Sequence, residues 1–84
     1  MTNKEVKRII EATVGFDSVT VRKDVVICKR AYFYRHGQSV EKLARAIKYV
    51  LPQVEILEEH DYFKQWPADS YMEVRCRFVS NAAH

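Results

Sequence analysis

Two glycines and two prolines in 84 residues are too few for long loops, so most of the chain is expected in helix and strand. Cysteine is scarce as well. Cys28 and Cys76 lie far apart, without the paired spacing of a zinc site or the density of a disulfide framework. Both are expected as buried, reduced, small hydrophobic side chains. A spanning helix needs ~20 apolar residues, and no apolar run here is longer than Val25–Cys28. No membrane role is therefore expected. The opening stretch Met1–Arg8 lacks the apolar segment of a secretory signal, and the expected location is the cytoplasm. Net charge is also modest. Fourteen Lys and Arg against eleven Asp and Glu give +3, which permits an acidic partner without demanding one.

What the chain does have is apolar material in regular patterns. Hydrophobic residues make up 48% of it, too many for a disordered segment. Val6, Ile9, Ile10, Thr13 and Val14 follow the i, i+3, i+4 spacing of an amphipathic helix, leaving Lys4, Lys7, Arg8 and Glu11 to solvent. Asn3 is the expected N-cap and Gly15 the stop. Ser18–Arg22 and Val25–Tyr34, separated by Lys23-Asp24, read as a β-hairpin. The register of its second strand stays open. A two-residue loop turns Val26, Cys28, Tyr32 and Tyr34 to the core; a three-residue loop turns Val25, Ile27, Ala31 and Phe33 instead. A second helix starts after Ser39, carries Val40, Leu43, Ala44, Ile47 and Leu51, and stops at Pro52. Val54–Glu58 is expected as a short strand, followed by a solvated acidic turn. In Ser70–Val79, Met72, Val74, Cys76 and Phe78 alternate with Tyr71, Glu73, Arg75 and Arg77, so one face is buried and one wet.

The expected architecture is a single α+β domain over residues 1–84, with its ordered core from Lys4 to Val79. It is a mainly antiparallel four-stranded sheet with two helices on one face, in the order αββαββ. Val6-Ile9-Ile10-Thr13 aligns with Val40-Leu43-Ala44-Ile47, and Val19-Val21 with Val54-Ile56, as a weak internal repeat of an αββ unit.

Arg35-His36-Gly37-Gln38-Ser39 resembles the signature of histidine phosphatases and phosphoglycerate mutases. That resemblance implies a histidine that takes up phosphate and an arginine that clamps it. The family also needs a longer parallel α/β domain and a second histidine with further arginines. Here only His60, His84, Arg45, Arg75 and Arg77 follow, with no family motif around them. The match is read as coincidental, with Gly37 turning the chain and Ser39 capping a helix. Tyr32–Gly37, Leu51-Pro52 and Trp66-Pro67 with Asp69–Tyr71 are similar to small uncharacterised phage and prophage proteins, which implies a phage setting and no particular activity. No catalytic constellation, metal site or cofactor motif is read, and the chain is not expected to be an enzyme.

Two binding surfaces are expected instead. The wet sheet face offers Arg22, Arg30, Tyr32, Tyr71, Arg75 and Arg77 to nucleic acid, since guanidinium groups and aromatic rings suit phosphates and stacked bases. Lys29 replaces Arg30 there if the register shifts by one. The alternative is a protein-interaction module or inhibitor that docks through a strand edge or through the aromatic connection holding Tyr62, Phe63 and Trp66. A homodimer is compatible with either. The His36→Ala protein is expected to fold normally, and purified wild-type protein to show no His36-dependent hydrolysis of a phosphate monoester; measurable His36-dependent turnover would restore the phosphatase reading.

Overall fold

The computed structural model describes residues 1–31, 39–62 and 70–79. The elements run α1 (Asn3–Thr13), β1 (Ser18–Arg22), β2 (Val25–Ala31), α2 (Val40–Val50), β3 (Val54–Tyr62) and β4 (Tyr71–Phe78). The order is αββαββ, as the periodicities indicate. All three strand pairings are antiparallel, and the sheet runs β1-β2-β4-β3. Two αββ units thus stand side by side, with their second strands paired in the middle and their first strands at the two margins.

Local chemistry explains where the helices begin and end. Thr2 is the N-cap of α1, its hydroxyl accepting from the Glu5 N–H. This moves the expected cap by one residue and frees Asn3 for another task. The Asn3 side-chain amide donates to Asp24 in the β1–β2 turn (3.0 Å) and its oxygen accepts from the Phe78 N–H (3.1 Å). One side chain therefore ties the start of α1 to both halves of the sheet. Gly15 follows the C-cap Val14 with φ +80°, the left-handed conformation that a side chain disfavours. Ser39 caps α2 through the Lys42 N–H. At the other end the Lys48 ammonium donates to the carbonyls of Pro52 and Val54.

The β1–β2 turn has two residues, since Arg22 pairs with Val25. That settles the register left open by the sequence: Val26 and Cys28 face the helices with Val19, while Val25, Ile27 and Lys29 face out. Arg30 follows the same alternation inward. It is only 6% exposed, and its Nε has no hydrogen-bond partner among the described residues. A guanidinium nitrogen lies 3.7 Å from where a Cβ on Gly15 would stand, placing the cation near the C-terminal end of α1, where carbonyl dipoles favour it. Tyr32 to Tyr34, the remainder of the expected strand, lie outside the described residues.

Strand β3 is longer than its composition suggests. Beyond the expected end at Glu58, Glu59-His60-Asp61 has low strand propensity and reads as a turn, yet it continues the ladder to Tyr62 opposite Tyr71. Cross-strand partners on β4 override the local preference. A bulge at Leu57 shifts the register between Ile56 and Glu58. Beyond it, Glu58, His60 and Tyr62 share the outer face with Arg75, Glu73 and Tyr71, while Glu59 and Asp61 lie on the helix side.

α1 lies chiefly over β1, with smaller and equal contact to β2 and β4, and α2 lies chiefly over β3 and then β4. Between the layers Val6, Ile10, Leu43, Ala44, Ile47 and Leu51 meet Val19, Val26, Cys28, Val54, Met72, Val74 and Cys76 in one buried cluster. Cys28 and Cys76 are fully buried, on adjacent strands, and neither forms a disulfide. Their mutual hydrogen bond, reinforced by burial, pushes the Cys28 thiol far above its ordinary range, so its nucleophilic thiolate is suppressed. Both thiols are expected to react with a disulfide reagent only as fast as the core opens, with full reactivity in denaturant; rapid modification of both in native protein would contradict this packing.

Candidate functional site

The outer sheet face is built by four strands whose alternation sends Thr20, Arg22, Ile27, Lys29, Tyr71, Glu73, Arg75 and Arg77 away from the helices, joined by Glu55, Glu58, His60 and Tyr62 of β3. Registry then decides what the charges do. Arg77 sits opposite Glu55 and pairs with it at 3.1 Å. Arg75, opposite Glu58, reaches that carboxylate at 3.6 Å and its strand neighbour Glu73 at 2.9 Å. Lys29, opposite Glu73, approaches it at 3.8 Å. Glu58 also receives His60 at 3.5 Å. Among the described residues of this face, Arg22 alone among the cations has no carboxylate partner.

Glu73 is the hub of this network. Although it belongs to the wet face by alternation, it is 3% exposed. Its hydrogen bond to Arg75, then its charge, holds that guanidinium above its ordinary pKa. A buried carboxylate needs such partners, because an unpaired buried charge is strongly unfavourable. Beside it the rings of Tyr62 and Tyr71 lie 4.7 Å apart and His60 stacks on Tyr62 at 5.4 Å, while the Lys29 ammonium stands over Tyr71. Partial desolvation, and then the Glu73 carboxylate, push the Tyr62 phenol up.

Of the residues expected to meet nucleic acid, Arg22, Tyr71, Arg75 and Arg77 do share the outer face. Arg30 does not: the two-residue turn sends it under the helices, and Lys29 takes the outward position. Tyr32 lies outside the described residues. Of the aromatic connection, Tyr62 closes β3 and is 37% exposed. Phe63 and Trp66 lie outside the described residues, as do Arg35, His36, Gly37 and Gln38 of the phosphatase-like motif.

A second charged surface was visible in the sequence only as a solvent-facing helix flank. Lys4, Lys7, Arg8 and Glu11 of α1 line an open groove of about 440 Å³, together with Thr20 and Val21 of the marginal strand β1. Lys4, Lys7 and Arg8 form no ion pair with any described residue. The i, i+3, i+4 spacing of these cations was legible; that β1 is a marginal strand among the described residues needed the strand order.

Among the described residues no group of three or more His, Cys, Asp or Glu side chains is placed to hold a metal ion. No helix of the described residues is long and apolar enough to cross a membrane. No protein-family model matches the chain, and neither curated proteins nor solved structures give a significant match. The α+β class with its αββαββ order is thus the class of protein defined here.

Glu73→Ala is expected to cost about 1–3 kcal/mol, the usual penalty for removing a buried, charge-assisted partner. Arg77→Gln, at an exposed pair, is expected to stay within about 0.5 kcal/mol. Denaturant titration of both variants measures this, and equal effects would mean that Glu73 is not the hub.

Proposed function

We propose that the protein is a small protein-interaction module that docks a partner through a free strand margin, with no chemistry of its own. The observation that carries this reading is the neutralisation of the outer sheet face. A surface that binds phosphates has to present unpaired cations, because binding strength comes from releasing counterions held by the nucleic acid. Here Lys29, Arg75 and Arg77 already face Glu73, Glu58 and Glu55 within salt-bridge distance. A phosphate backbone would have to displace those carboxylates, at least one of them buried. The aromatic group at the same end is also engaged, with Tyr62 stacked on His60 and tilted against Tyr71 rather than splayed for bases.

Margins are different. A sheet of order β1-β2-β4-β3 leaves one side of β1 and one side of β3 with backbone groups that can pair with another chain. Strand addition at such a margin takes its affinity from main-chain hydrogen bonds and its selectivity from alternate side chains. Nothing in this mode requires the outer-face arginines.

Wild-type protein and the Arg75→Gln/Arg77→Gln variant separate the two roles when titrated with single- and double-stranded DNA and RNA at several salt concentrations. The module reading expects weak binding and no difference in salt slope between the two proteins. Two phosphate contacts through these arginines would instead flatten the variant's log–log slope by about 1.4–1.8, and that result would overturn the proposal in favour of nucleic acid.

A further inference from the structure

We infer that the β1 margin and the cation row of α1 together form a site for an extended acidic segment of another protein, one with carboxylates at positions i and i+2. The inference rests on the module reading and names the partner chemistry of one of its two margins.

The groove has a backbone wall and a charged wall. β1 supplies the backbone wall over Ser18–Arg22, its other side being paired with β2. α1 supplies Lys4, Lys7 and Arg8 above it, with Thr20 and Val21 beneath. These cations have no ion-pair partners among the described residues, whereas three of the four on the outer face do. A strand added beside β1 turns alternate side chains toward the helix layer. Along that strand, i to i+2 is about 6.8 Å. Along α1, Lys4 to Arg8 is about 6 Å. Two acids at alternate positions therefore match two cations one helical turn apart. The other face of the added strand passes Arg22, which is also without a carboxylate partner among the described residues.

Glu11 limits the match. It closes the row at the C-terminal end of the groove and repels a third carboxylate there. A continuous polyanion is consequently a poorer fit than a short segment with two acids. The chain's own β3 carries acids at the same spacing, Glu59 and Asp61, on the helix side. The bulge at Leu57 breaks the regular ladder just before them, so a second copy is a poorer fit than an unbulged segment.

The probe is a fluorescent peptide of alternating Thr or Val and two Glu residues at i and i+2, measured by anisotropy against the whole chain. Saturable binding is expected, lost when Gln replaces both Glu residues. Charge reversal in Lys4→Glu/Arg8→Glu is expected to weaken it about tenfold, since two rim ion pairs become two repulsions; a peptide with Lys in place of Glu should then bind the variant better than wild type. Both substituted residues are exposed on α1 or its groove, and circular dichroism verifies that the variant folds. N-methylation of alternate amides on one edge of the peptide should abolish binding, and on the other edge should not. Equal binding of both methylated forms, or no binding of the Glu peptide, overturns the inference. An oligothymidine competing as well as the peptide, or growth of mass with protein concentration that the charge reversal abolishes, overturns it in favour of nucleic acid or of self-association. The module reading is tested apart from this by the salt-slope comparison of wild type with Arg75→Gln/Arg77→Gln, which involves neither Lys4 nor Arg8 and can fail while the peptide still binds, or hold while it does not.

Discussion

The antiparallel pairing of β2 with β4 is the contact on which the rest of the structure depends. Val26 faces Cys76 and Cys28 faces Val74 across it, and all four side chains are fully excluded from solvent. Each αββ unit alone would leave one such row open to water. Burying apolar surface contributes roughly 25 cal/mol per Å², so the two half-cores gain most by facing each other. The helices then have one continuous floor, and Asn3 can reach from the first unit to Phe78 of the second. The same pairing fixes which strands are marginal, since among the described residues β1 and β3 are left at the sides.

Central pairing also determines the electrostatics of the outer face. Lys29, Glu73 and His60 come into one transverse row because β4 lies between β2 and β3, and Ile27, Arg75 and Glu58 form the next. A net charge of +3 is therefore a poor guide to where the protein is positive. The outer face is largely neutralised by cross-strand carboxylates, whereas Lys4, Lys7 and Arg8 of α1 form no ion pair with any described residue.

Much of this was legible from the order of residues. The helical stripes, the alternation of β4 and the class of fold all follow from local periodicity, because each element has one dry side. Three things were not. Arg30 looked like a surface residue, and only the length of the turn at Lys23-Asp24 decides its facing. Glu59 to Asp61 looked like a turn, and only partners on β4 make them strand. Thr2 and Asn3 are both good caps by type, and the choice depends on Asp24 and Phe78, which are distant in sequence. In the candidate site the residue types were readable, but the pairing of Arg75 and Arg77 with Glu58, Glu73 and Glu55 is a property of registry.

The bulge at Leu57 has a consequence for valency. By interrupting the β3 ladder and turning Glu59 and Asp61 to the helix side, it gives one margin an irregular, acidic border of the kind that discourages strand addition. The sheet is left with one receptive side. On the proposed docking mode such a domain would have a valency of one: it would cap a partner's strand and could not bridge two partners into a growing sheet. β1 has only five residues, so on that reading each contact would be short. Durable association would then come from tethering, where a linked second contact raises the effective concentration at the first.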